Sequence, residues 1–117
     1  MSRVIVIASL PALALPAMLL SASISIAEEP EFTEAFLNDP EVVAHGKELF
    51  AAECQHCHGR SSYPGKAPKL KPKRLSAEDV YLRMTYGWRT MPPWEDVLSQ
   101  DERMAVTAYV KSRRFSP

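Results

Sequence analysis

Cys54-Gln55-His56-Cys57-His58 places two thiols three residues apart, with an imidazole directly after the second. On a helical turn, residues i and i+3 share one side, so both thiols can face one edge of a flat ligand. Each thiol can add to a porphyrin vinyl group, which gives two thioethers. His58 then lies over the ring as the proximal iron ligand. The five residues are the attachment signature for one covalently bound haem c.

Passing electrons at a haem iron calls for a second axial ligand. Beyond the N-terminal segment the methionines are Met84, Met91 and Met104. Met84 and Met104 fall at helical spacing and read as packing residues. Met91 precedes Pro92-Pro93, and a residue before proline is pushed out of the helical region. It therefore sits in a stiff loop, able to present its thioether from the side opposite His58. Together with the known His/Met pairing, this makes Met91 the expected sixth ligand.

Other uses of the cysteines read less well. A structural zinc site wants four ligands, and His45 is the only other Cys or His outside the motif. A thioredoxin-like thiol pair wants its first cysteine at a helix N-terminus, whereas Cys54 is expected at a C-terminal end. A disulfide across so short a loop would hold little of the fold together. His45 and His56 read as solvated residues. Tyr81, Tyr86, Trp88 and Trp94 read as core filler, with packing on the haem as the alternative.

The chain has 117 residues, enough for one domain. Residues 1–27 look unlike the rest. Arg3 is their only charge, Val4 to Leu20 is almost all apolar, and Ser25-Ile26-Ala27 is a small-x-small cleavage site. That is the layout of a secretory signal peptide, cleaved to leave a chain starting near Glu28. An uncleaved anchor is the alternative, because the apolar stretch is long enough to span a bilayer. The remaining 90 residues bury limited apolar surface, and a covalently attached haem would serve as a staple.

Without Arg3, thirteen basic residues face fourteen acidic ones, a net charge of −1. Glu28 to Glu53 holds eight acids and one base, Lys47. Arg60 to Arg74 holds six bases and no acid. Near-zero net charge with segregated signs argues against a nucleic-acid binder and suits oriented docking.

Residues 28–38 read as a mobile acidic arm, in which Phe32, Phe36 and Leu37 could pack locally. The domain is expected over 39–117. Asp39-Pro40-Glu41 is a helix start, and that helix is expected to run to about Glu53. Gly46 within it is most useful if another helix crosses closely. Gly59 to Lys73 is a proline-rich loop. Ser76 to Asp79 and Ser99 to Glu102 read as capping boxes for two further helices. Gly87 stops the first of these. In the second, Met104, Ala105, Ala108 and Tyr109 form one stripe, with Val106 and Val110 beside it. Nothing demands a strand, so the fold class is all-α: three main helices and long loops around one haem.

From about Val42 to Lys111 the sequence resembles the class I c-type cytochromes. The matching residues are Gly46, Phe50, Cys54, Cys57, His58, Gly59, Gly65, Pro68, Leu70, Met91-Pro92 and Tyr109. The resemblance implies a close crossing of the first and last helices at Gly46 and Tyr109. It also implies that the Pro68 carbonyl accepts a hydrogen bond from His58. The implied function is a periplasmic one-electron carrier, not an enzyme. It is expected to be a monomer without a membrane anchor after cleavage. Its implied partners are redox proteins: a dehydrogenase such as a quinoprotein enzyme, a respiratory complex or a terminal oxidase. The alternatives are a haem enzyme or sensor with an open sixth site, and a membrane-tethered subunit of a larger oxidoreductase.

Overall fold

The computed structural model describes residues 28–60 and 65–115. The expected leader, 1–27, lies outside the described residues. Five α-helices occur among the described residues: α1 (Glu34–Leu37), α2 (Pro40–Leu49), α3 (Gln55–His58), α4 (Ala77–Tyr86) and α5 (Gln100–Lys111). A π-helical turn, Phe50–Cys54, joins α2 to α3, and a 3-10 turn, Pro72–Arg74, precedes α4. No strand is found among the described residues; one antiparallel bridge pairs Trp88 with Met91. The fold is therefore all-α, with α2, α4 and α5 as the main helices. No described helix is long and apolar enough to cross a membrane.

The helix starts are fixed by side chains that satisfy exposed backbone donors. Asp39 Oδ1 accepts from the amides of Glu41 and Val42 at 2.8 and 3.1 Å. Both capping boxes form. Asp79 donates its amide to Ser76 Oγ at 3.0 Å, and Glu102 donates its amide to Ser99 Oγ at 3.2 Å. Each box is closed by a return bond, from the Ser76 amide to Asp79 and from the Ser99 amide to Glu102. Gly87, at φ 77°, ends α4.

Helices α2 and α5 make the largest interhelical contact. Gly46 is the reason they can approach. A Cβ there would overlap the Ala105 carbonyl and lie 3.0 Å from Tyr109 Cβ. Below this crossing, Phe50, Tyr109 and Phe115 meet edge to face, with centroids 5.1–5.5 Å apart. Val43, Met84, Leu98, Val106 and Val110 extend the same core. Phe115, fully buried near the end of the chain, belongs to no motif in the sequence.

Three expectations need correction. The helix beginning at Pro40 does not stop near Glu53. It continues through the π turn into α3 and carries the whole motif to His58. The 28–38 arm is packed, not free. Thr33 caps α1, the Phe32 ring meets that of Tyr81 at a tilt with centroids 5.6 Å apart, and Gln100 donates to the Glu28 carbonyl at 3.2 Å. Tyr86 and Trp88 are not core residues: they are 66% and 45% exposed. The Trp88 ring is instead covered by the guanidinium groups of Arg83 and Arg89, 4.5 and 4.3 Å from its centroid.

Candidate functional site

The motif sits where the helix changes pitch. A π turn adds one residue to the turn and rotates the next residues relative to a regular helix. Phe50 lies at its start, buried in the core, and Cys54 at its end. Cys57 and His58 come one turn later in α3. Both thiols are free, Cys54 buried and Cys57 partly buried. Burial, with smaller effects from Glu53 and Cys57, pushes the Cys54 thiol up to about 12. It is therefore held protonated.

His58 is half-buried, with its ring 6.4 Å from that of Phe50. Burial, and then the neighbouring His56, hold its pKa below the ordinary histidine value. The imidazole is thus kept neutral, the form that binds a metal. Its Nδ1 is buried with no hydrogen-bond partner. The bond expected to the Pro68 carbonyl is therefore not formed. Pro68 is exposed, and its loop is tied to the motif by backbone instead: the Ala67 amide donates to the Cys57 carbonyl at 2.8 Å. At Gly65 a Cβ would overlap that same carbonyl and lie 2.7 Å from the Gly59 nitrogen. The loop therefore lies directly on the motif's backbone.

Met91 comes from the far side of the sequence, in the segment between α4 and α5. Trp88 and Met91 exchange backbone hydrogen bonds at 3.1 and 3.0 Å around a turn in which Arg89 has φ 55°. The Trp94 amide, past Pro92-Pro93, donates to the Met84 and Thr85 carbonyls at 3.0 and 3.2 Å. The loop is closed on both sides, and Met91 packs partly buried against the core. Met84 is buried in the core, as its spacing indicates, while Met104 is only partly buried. His45 and His56 are exposed.

The donor set fits a covalently attached haem. It offers two thiols with no disulfide between them, a neutral imidazole with a buried unpaired nitrogen, and a thioether in a fixed loop. No group of three or more His, Cys, Asp or Glu side chains able to hold a metal ion occurs among the described residues.

Two buried groups were missed in the sequence. Arg103 is 8% exposed, and its guanidinium bonds the Glu95 and Leu98 carbonyls and the Tyr81 hydroxyl. Its place three residues before Val106 and seven before Val110 puts it on a buried face, a signal that helical spacing contained. Thr85 Oγ1 is buried without a partner, and no sequence feature marks it.

Known proteins resemble this chain. The family described as cytochrome c oxidase, cbb3-type, subunit III, matches residues 41–110. A cytochrome bc1 complex cytochrome c subunit from Corynebacterium diphtheriae is 37% identical over 86 residues, 68% of this chain and 30% of that protein. The chain thus spans under a third of that relative, and the same holds for its Corynebacterium efficiens counterpart, of which 28% is covered. Cytochrome c6 from Cladophora glomerata is 32% identical over 81 residues, 62% of this chain and 89% of that protein. The crystal structure of cytochrome CL from Methylophaga aminisulfidivorans superposes with a TM-score of 0.59 at 25% identity. It covers 74% of this chain and 70% of that one.

Proposed function

The chain belongs to that family of class I c-type cytochromes, and from this membership we propose a periplasmic one-electron carrier with a single His/Met-ligated haem c. Electron transfer through a c-type haem is the family's property. The finer reading of the haem-holding residues rests on one observation. A continuous helix presents two free thiols and a half-buried imidazole whose Nδ1 is buried without a partner.

Haem c, when bound, supplies an iron that cycles between ferric and ferrous states. The chain does the rest. Cys54 and Cys57 would hold the group through thioethers, and His58 and Met91 would ligate its iron. The π turn sets the angle at which α3 leaves the core, and so orients both cysteines and His58 together. The Met91 loop, closed by its own backbone bonds, holds the thioether without needing to reorganise. A thioether ligand in an apolar shell favours the ferrous form and raises the potential. A carrier benefits from fixed ligands because the geometry then changes little between redox states.

Residues 1–27 are proposed to act as a leader removed after Ala27, which leaves a domain that begins with the packed 28–38 segment. The bc1-subunit relatives favour a respiratory complex as partner. A dehydrogenase and a terminal oxidase are the other redox proteins of fitting chemistry.

The test is the absorption spectrum of the periplasmic protein, oxidised and reduced. Sharp reduced c-type bands with a weak far-red band in the oxidised form are expected. Met91→Ala is expected to abolish the far-red band and lower the midpoint potential while the haem stays attached. A wild-type protein with haem but no far-red band would remove Met91 from the ligand set. The sixth site would then be open. Intact mass, read in the same preparation, checks cleavage after Ala27.

A further inference from the structure

Met91 is fixed from both ends of its loop. On its N-terminal side the Trp88–Met91 bridge closes the turn. On its C-terminal side Pro92 and Pro93 allow little torsional freedom, so any movement of Trp94 is passed back to Met91. Trp94 is held to the end of α4 through its amide. Its carbonyl in turn accepts from the amides of Val97 and Leu98, at 3.1 and 2.9 Å, which makes 94–98 a closed turn.

Arg103 grips this turn from α5. Its Nη1 donates to the Glu95 carbonyl at 3.2 Å and to the Leu98 carbonyl, and its Nη2 donates to the Tyr81 hydroxyl at 3.2 Å. One guanidinium therefore joins α5, the loop and α4. Its partners are all neutral; among the described residues no carboxylate pairs with it. Burying a cation without a counter-ion is expensive, and an apolar side chain of similar size would avoid that penalty. The property that distinguishes arginine here is its planar fork, which reaches three acceptors in fixed directions.

We propose that Arg103 is a positioning residue for Met91: by clamping the 94–98 turn it holds the methionine loop in the arrangement that ligates iron. The inference rests on the Met91 ligation proposed above.

The experiment compares haem-loaded Arg103→Lys and Arg103→Met with wild type. It reads the far-red band of the oxidised form, the midpoint potential and thermal unfolding. Val110→Ala is the control, since it removes buried volume from α5 but none of the guanidinium's hydrogen bonds to the turn. Both Arg103 variants are expected to lose far-red intensity and shift to lower potential at temperatures where the helices are intact, Met more than Lys. Val110→Ala should lower Tm and leave band and potential unchanged. An Arg103→Met protein with the wild-type band and potential overturns the proposal, however far its Tm falls. Should that variant not fold, Arg103→Lys decides on the same comparison, because it keeps the charge and loses the fork. A wild type lacking the far-red band refutes Met91 ligation itself and takes this inference with it; a band that persists in both variants refutes the positioning role alone.

Discussion

Single residues in this protein are often defined by which backbone groups they satisfy. Glu102 is an example. Its carboxylate accepts the Ser99 amide at 2.8 Å, and this bond holds its pKa below the usual 4.5. A carboxyl depressed in the folded state binds fewer protons there than in the unfolded chain. Its contribution is therefore present above pH 4.5 and lost as pH falls through the lowered folded value. Glu102→Gln keeps a side chain able to accept but removes the titration. Plotted against pH, the Tm difference between wild type and Glu102→Gln is expected to be open near neutrality and to close in acid. A difference independent of pH would show that charge at this cap contributes nothing. Arg103 and His58 show the same logic: the first bonds two loop carbonyls and the Tyr81 hydroxyl through its Nη atoms, and each leaves one buried nitrogen, Nε and Nδ1, without a partner.

Helix crossings impose harder limits than caps. At Gly46 the backbone of α5 occupies the volume that any side chain would need, so Gly46→Ala must push α2 and α5 apart. Overpacking of this kind costs about 1–3 kcal/mol, and more where backbone has to move. Thermal or denaturant unfolding of Gly46→Ala is expected to show a loss at the upper end of that range or beyond. A neutral outcome would mean the crossing is loose. This crossing was legible in the sequence, because a glycine inside a helix asks for a close neighbour. The caps were legible too, since Asp39, Ser76 and Ser99 each stand before the residues whose amides they bind. The π turn was not. Phe50 to Cys54 has ordinary helical composition, and the extra residue per turn accompanies the burial of Phe50 against Tyr109 and Phe115, which no local pattern marks. Phe115 and Arg103 escaped for a related reason: their burial depends on segments distant in sequence, the α2–α5 crossing for one and the 94–98 turn for the other. The motif is explicit in the order of its five residues, while the Pro68 contact, inferred from resemblance alone, was not realised.

Across the whole molecule, charge is separated more than it is unbalanced. Residues 28–117 sum to −1, yet eight of the thirteen bases fall in two stretches. Six of them lie just past the motif, between Arg60 and Arg74. Arg83 and Arg89 flank Trp88, whose backbone is bridged to Met91. Among the described residues neither of these guanidinium groups has an ion pair. Two descriptions of the field then give opposite results with a small anionic oxidant such as hexacyanoferrate(III). If net charge governs approach, added salt screens a weak repulsion and the oxidation of reduced protein speeds up. If the local field beside Met91 governs, salt screens an attraction and the reaction slows. The segregated pattern favours slowing. Stopped-flow rates at increasing ionic strength check it, and Arg83→Gln with Arg89→Gln is expected to flatten the dependence. A rate that rises with salt in wild type would mean electrons leave by a face these arginines do not dominate. The acidic 28–53 segment would then be the feature a redox partner meets first.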